Sequence, residues 1–297
     1  TKILGYKGDV GLDINCIMAN HKIPFAFPDE VIKASKKIDT VIHEDPKRWD
    51  LRDLQMVTID GEDAKDLDDA VSGRKLPNGN YELGVHIADV SHYVTSGQPI
   101  DNEAYKRGTS VYLVDRVVPM LPEVLSNGIC SLNAHEDRYA MTCMMEIDDS
   151  GTVVNYRIRP SIIHVGRRCS YKEVYKALEE NIIPDDLQDF MPMLRDLAEI
   201  SKILNRMRRR RGALDFDFPE YKVLLDLDGT PLRIVKRDRT MAERLIEECM
   251  LIANETVATH LKNTHRTSVY RIHESPSEEK LDLFQKVLNY LGQNLVL

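Results

Sequence analysis

The chain has 297 residues, of which 42% are hydrophobic and 30% charged, and its formal net charge is −8. That is enough apolar material for one large or two smaller globular domains, and no apolar run nears the roughly eighteen residues that a membrane span needs. The acidic balance weighs against nucleic-acid binding, although a carboxylate metal site inflates the acidic count and basic residues can still line one groove.

Residues 1–45 read as a connecting region, broken by Pro24 and Pro28, with a short helix over Asp29–Lys37. From Val57 the pattern changes. Tyr81–Val90 is rich in strand formers and follows the turn Pro77-Asn78-Gly79-Asn80, so with Ala70–Arg74 it predicts a β-hairpin. Ala140–Ile147 and Val153–Arg159, joined by Asp148-Asp149-Ser150-Gly151, predict a second. The second half is helical by its punctuation. Ser170 with Glu173, Thr240 with Glu243 and Ser275 with Glu278 each fit the capping box, and Pro276 falls at the first position of the last helix, where its missing N–H costs nothing. The helix after Thr240 sets Leu245, Cys249, Ile252, Thr256 and His260 near one face. The last helix closes near Gly292 with no turn or tail after it, so the sequence is expected to end inside a larger domain. Hairpins first and helices after predict an α+β (mixed α/β) fold, a mixed or antiparallel sheet flanked by helices.

The five cysteines, Cys16, Cys130, Cys143, Cys169 and Cys249, show no CxxC spacing. Their odd number argues against zinc knuckles and a disulfide framework, and points to buried, reduced thiols in a cytoplasmic protein. The N-terminus has no basic segment followed by an apolar stretch, so no signal peptide is expected.

Asp60, Glu62, Asp63, Asp66, Asp68 and Asp69 crowd into ten residues behind the strand-like run Met56-Val-Thr-Ile59. Leu67 and Ala70-Val71 are interleaved with them, which points to carboxylates held against a core rather than a solvated charge run. At about 4 Å and an effective dielectric near 20, each like pair costs on the order of 4 kcal/mol. Protonation, arginines or a divalent cation must offset this. Hard cations such as Mg²⁺ and Mn²⁺ take oxygen ligands, and a pair of them forms the usual clamp for phosphodiester cleavage. The other reading is a capped acidic loop on the surface, and spacing alone does not separate the two. An EF-hand pattern is not met.

Thr58-Ile-Asp-Gly-Glu-Asp-Ala-Lys-Asp-Leu-Asp-Asp-Ala-Val71 closely resembles the signature of the RNase II/RNase R (RNB) catalytic domain. His86–Val94, Gly108–Leu113, Val118–Leu132, Arg211–Phe216, Leu245–Asn254 and Tyr270–Glu274 extend the resemblance in order along nearly the whole chain, nearer to the RNase R branch. The resemblance implies a metal-dependent 3′→5′ exoribonuclease that degrades single-stranded RNA processively to nucleoside 5′-monophosphates. It makes residues 1–45 a connector and 46–297 the N-terminal and central part of the catalytic domain. It puts Asp60, Asp66, Asp68 and Asp69 at the metal, two Mg²⁺ (or Mn²⁺) in the full site, with Asp68 and Asp66 catalytic. Glu62 and Asp63 are left as structural residues. It sets Tyr112 and Phe216 to stack on the terminal bases, where the plain alternative for each is a core aromatic. Tyr171 and Glu247 would recognise ribose; the alternatives are a helix-start residue and a solvated helix face. It further implies a monomeric, cytoplasmic protein with no organic cofactor and no membrane. In the family a Thr-Ser-Pro-x-Arg-Arg stretch and a phosphate-contacting arginine follow the part matched here, and cold-shock-type and S1-type domains flank it. This chain alone is therefore expected to be weak or inactive.

Arg206, Arg208, Arg209, Arg210 and Arg211 before Gly212 read first as a helix C-terminus and second as an RNA-phosphate contact for one or two of them. Two rivals remain. One is a catalytically silent RNA-binding homologue. The other is a haloacid-dehalogenase-type phosphatase, from Asp226-Leu-Asp228-Gly-Thr230 after a hydrophobic strand. Against the second, Asp228-Gly229 also makes a good hairpin turn with Pro231–Val235 returning.

Overall fold

A computed structural model describes residues 3–214, 216 and 218–293. It divides into two compact units, Thr1–Val257 and Ala258–Leu297. Two helices come first, α1 (Leu12–Asn20) and α2 (Asp29–Ser35), then strands β1 (Trp49–Leu51), β2 (Val57–Asp60), β3 (Asp69–Lys75) and β4 (Tyr81–Ala88). Two helices follow, the one-turn α3 (Val90–Tyr93) and α4 (Pro99–Arg107), and then the small ribbon of β5 (Val111–Tyr112) and β6 (Val117–Val118). The long hairpin β7 (Asp137–Ile147) and β8 (Val153–His164) leads into β9 (Arg167–Ser170), α5 (Tyr171–Glu179) and α6 (Met191–Arg210). A second ribbon, β10 (Glu220–Leu225) and β11 (Pro231–Arg237), precedes α7 (Met241–Asn263) and α8 (Glu278–Tyr290).

Seven strands form one sheet in the order β1-β8-β7-β4-β3-β2-β9. β1 lies parallel to β8 and β9 parallel to β2, while the other neighbours are antiparallel, so the chain is α+β with a mixed sheet. Both predicted hairpins form. Each face carries its own core. On one, Val57, Ile59, Val71, Leu83, Val85 and Met145 meet α5, α6 and the start of α7 through Val174, Leu194, Leu197, Leu245 and Cys249. On the other, Met56, Ala70, Ala88, Ala140 and Ile163 meet Val31 of α2, Ile100 of α4 and the irregular turn around Leu125 and Ile129. The chain ahead of the sheet is fastened to it: Arg48 donates to Asp89 at 2.7 Å, lies 4.2 Å from the Tyr139 ring centre, and is buried with its partner.

Several expectations need correction. The cap of α8 is Ser277, whose Oγ accepts from Lys280 N at 3.4 Å, so Ser275 is not the cap and Pro276 precedes the helix. A proline's fixed φ suits the extended entry as well as the first turn, and Glu278 and Glu279 gain the favourable end of the helix dipole in this register. At α7, Glu243 takes Thr240 N at 2.9 Å, but Thr240 Oγ1 accepts from Ala242 N rather than Glu243 N. The Ser170–Glu173 box is complete. Cys16 is exposed, unlike the other four free cysteines. Helices α1 and α4 went unread, although α4 carries Pro99 in its first turn and a left-handed Gly108 at its end.

A buried polar thread crosses four strands of the sheet. Ser72 Oγ lies 3.1 Å from His86 Nε2, His86 Nδ1 lies 2.9 Å from Thr142 Oγ1, and Thr142 Oγ1 lies 2.7 Å from Ser161 Oγ. Gly84 makes room for it, since a side chain there would run into Ser72 Oγ and the His86 ring. Burial pulls the His86 pKa from 6.5 down to about 3, so the folded ring is neutral. His86→Leu takes from Ser72 Oγ and Thr142 Oγ1 their bonds to the ring, leaving Thr142 only Ser161, and is expected to cost about 1–3 kcal/mol at pH 7 by urea unfolding. The unfolded imidazole gains a proton below its ordinary pKa while the folded one does not, so the native protein loses stability as pH falls from 6.5 toward 3. The gap between the two proteins should therefore narrow on acidification; a constant gap contradicts the assignment.

Candidate active site

The acidic loop joins two neighbouring strands of the sheet. β2 ends at Asp60, opposite Ser170 of β9, and β3 begins at Asp69, opposite Ile87 of β4. Asp68 still belongs to the ladder through its carbonyl, which accepts Ala88 N at 2.9 Å. Between the strands Leu67 is buried and anchors the loop. Ser131, fully buried, takes Leu67 N at 3.1 Å and donates to the Lys65 carbonyl at 2.8 Å. On the other flank, Arg168 Nη2 reaches the carbonyls of Gly61, Glu62 and Ala64 at 3.3, 3.0 and 2.7 Å.

Asp68 and Asp69 feel the charge of their neighbours. Burial, then the charges of Asp68 and Asp60, push Asp69 up to about 7, and its Oδ2 is buried with no hydrogen-bond partner among the described residues. Burial, then Asp66 and Asp60, push Asp68 upward as well. Asp66 Oδ2 accepts from the Tyr112 hydroxyl at 2.5 Å, and that bond is the main cause of the tyrosine's rise to about 12. Asp60 Oδ1 accepts Gly61 N at 2.6 Å. Glu62 and Asp63 stand apart, in exposed ion pairs with Lys172 at 3.5 Å and Lys222 at 2.8 Å.

Among the described residues, no three Asp, Glu, His or Cys side chains converge as a ready set of metal ligands. Like charge favours the spread, although Asp68 and Asp69 share a side-chain hydrogen bond. The donor chemistry suits a hard cation all the same: four carboxylates on adjacent strand ends, one buried oxygen unpartnered, and no nitrogen or sulfur among them.

The remaining site residues divide. Tyr171 opens α5 half-buried, and its hydroxyl is pushed upward by burial and then by Asp60 and Asp69, which places it beside the cluster. Tyr112 is 65% and Phe216 63% exposed, so neither is a core aromatic; Phe216 stacks on Phe218 with centroids 5.5 Å apart. Glu247 is not simply solvated: it pairs with Arg208 at 3.5 Å and with Arg239. Among the described residues, no hydrogen bond, ion pair or ring contact joins Phe216 or Glu247 to the aspartates. The arginine run ends α6 as a helix terminus, with Gly212 left-handed. Arg208 pairs with buried Glu248 at 2.8 Å and Arg211 with Glu255 at 2.7 Å, which ties α6 to α7. Asp226 takes Asp228 N and Thr230 N at 3.0 and 2.8 Å in the β10–β11 turn, so the phosphatase-like string is a hairpin and opens no doubly wound sheet. Arg168 and Ser131 were missed from sequence. Ser131 lies within Val118–Leu132 with no local sign of its partner, and nothing local to Arg168 marks its target.

Residues 48–296 match the RNB domain family. The chain belongs to that family. It is 47% identical to Ribonuclease R 1 of Lactococcus lactis over 96% of its length, and 47% identical to Ribonuclease R of Thermotoga maritima over 98%. It spans 35% and 42% of those two relatives. Among solved structures, Mycoplasma genitalium RNase R in complex with ribose-methylated single-stranded RNA superposes with a TM-score of 0.91 at 34% identity, covering 98% of this chain and 46% of that one.

The rise of Asp69 has a sign that can be checked. Its folded pKa exceeds the ordinary 3.8, so the stability this group contributes is present in acid and is lost as pH rises through about 7. In chelator, Asp69→Asn should be more stable than the native protein at pH 8, by on the order of 2–4 kcal/mol. The advantage should vanish near pH 4. Thermal unfolding across that range measures it, and a variant less stable at pH 8 contradicts the picture.

Proposed function

We propose that this chain carries the acidic half of the active site of a metal-dependent 3′→5′ exoribonuclease, which removes nucleotides one at a time from single-stranded RNA as nucleoside 5′-monophosphates. The carrying observation is the carboxylate set at the ends of β2 and β3, with its unpartnered buried oxygen, in an RNB-family chain. Asp60, Asp66, Asp68 and Asp69 would hold Mg²⁺ or Mn²⁺, two ions in the full site. Bound there, the metal lowers the pKa of a water and stabilises the leaving oxygen. Asp68 and Asp66 are the carboxylates we assign to the reaction itself. Tyr112 and Phe216 offer exposed faces on which any base can stack, which suits an enzyme blind to sequence. Tyr171 and Glu247 offer a hydroxyl and a carboxylate for a ribose 2′-OH.

In this reading residues 1–45 connect to the domain, and residues 46–297 form its N-terminal and central part. The protein works as a cytoplasmic monomer without an organic cofactor. The Mycoplasma relative's complex with single-stranded RNA supports RNA as the partner. The solved Mycoplasma genitalium RNase R in complex with double-stranded RNA leaves structured RNA open as a second substrate form.

The test is the shortening of a 5′-labelled oligoribonucleotide in Mn²⁺ by the protein in the full length of its relatives. Asp68→Asn should slow it by about a thousandfold while leaving RNA binding intact. Asp226→Asn should change nothing. Loss on the second substitution alone would restore the phosphatase reading, and an inactive parent that still binds RNA would favour a silent homologue. The chain by itself is expected to be far slower than the longer protein.

A further inference from the structure

The loop from Asp60 to Asp69 has little backbone order of its own. Among the described residues its one internal backbone hydrogen bond runs from Ala64 N to Gly61 O at 3.2 Å. Its shape comes from outside. Three carbonyls within four successive residues, those of Gly61, Glu62 and Ala64, turn toward a single nitrogen of Arg168. Carbonyl oxygens repel one another, and a charged donor set among them offsets that repulsion more strongly than a neutral one. Arg168 is held for this task by β9, where it lies opposite Thr58 in the parallel ladder with β2. Its neighbour Arg167 is committed elsewhere, to Asp186 and Glu173. Among the described residues Arg168 forms no ion pair, so its hydrogen bonds go to backbone rather than to a carboxylate.

We infer that Arg168 is a positioning residue for the catalytic carboxylates. It folds the Gly61–Ala64 backbone around its guanidinium, and so sets the separation of Asp60 on one side of the loop from Asp66 and Asp68 on the other. Ser131 pins the far end through Lys65 and Leu67, and Leu132 N adds a bond to the Leu67 carbonyl at 2.7 Å. Between the two clamps the carboxylates have a fixed frame. The inference rests on reading these aspartates as the metal-binding set.

The experiment has two arms on the same proteins: native, Arg168→Gln and Arg168→Lys. The first needs no metal. Lys65 is exposed in the middle of the loop, so trypsin reports the loop directly, with cleavage after Lys202 and Arg206 of α6 as the control for global unfolding. Arg168→Gln should speed cleavage after Lys65 by about tenfold with the control sites unchanged. Arg168→Lys keeps a charge and three donors and should stay within about threefold of the native rate. The second arm titrates Mn²⁺ and follows the free ion by electron paramagnetic resonance. Arg168→Gln should weaken binding by about tenfold, and Arg168→Lys should restore most of it. Equal cleavage after Lys65 in all three proteins overturns the inference. So does a loosened loop that binds Mn²⁺ as tightly as the native one. A native protein that takes up no Mn²⁺ instead sinks the metal reading, while the trypsin arm still decides whether Arg168 holds the loop.

Discussion

Four carboxylates are strung between the end of β2 and the start of β3, and the repulsion felt by Asp68 and Asp69 is a constraint that the surrounding sheet must hold. The sheet fixes their backbones at both ends, through Asp60 opposite Ser170 and Asp69 opposite Ile87. Such crowding persists only on a support that does not yield. Val57, Thr58 and Ile59 are all buried, and β2 and β3 lie inside the sheet with packed helices on one face and a second core on the other. Hydrophobic burial on both faces of one strand pair offsets the electrostatic cost at its tip. The polar thread from Ser72 to Ser161 belongs to the same logic, because a satisfied buried network fixes the register of β3 against three further strands.

The net charge of −8 says little about the charge left free at the surface, for a local reason. Much of the acidic excess is consumed in place: Glu248 and Glu255 answer Arg208 and Arg211 across α6 and α7, and Glu62 and Asp63 answer two lysines. The arginine run that a sequence reader would offer to RNA is thereby partly spent inside the protein. On the exoribonuclease reading, the surface offered to a nucleic acid would be aromatic instead. Tyr112 and Phe216 stand in solvent where their apolar bulk would ordinarily be buried, and Tyr112 does so while touching the acidic cluster.

What was legible in the sequence was what is decided locally. The hairpins could be read because Pro77-Asn78-Gly79-Asn80 and Asp148–Gly151 carry their turn chemistry within four residues. The Ser170–Glu173 cap could be read for the same reason. The parallel pairings of β1 with β8 and β2 with β9 could not, since each joins segments about a hundred residues apart with no local mark of the partner. Arg168 falls in that class: its targets are backbone carbonyls, which leave no trace in the identity of the residues that own them. The four aspartates were found by their motif, but their charge coupling and the lone oxygen of Asp69 are properties of folded geometry alone. The ambiguity at α8 was of another kind. Ser275 and Ser277 both suit a cap, and a proline between them is compatible with either register.

The elevated Asp69 connects this geometry to the chemistry. A carboxyl whose pKa sits near 7 is shared between a proton and whatever cation is offered to it. If the cluster binds a divalent ion as proposed, the two would compete at the same oxygen, and the ion's affinity would rise with pH across the neutral range. Burial of that carboxyl makes the empty site costly when ionised, and the same burial strengthens its attraction for a cation once one is present. On the proposed reading, the carboxylates whose ionised form is costliest in the protein alone are the ones assigned to the metal. The strain is borne by the ends of two interior strands that the rest of the fold keeps from relaxing.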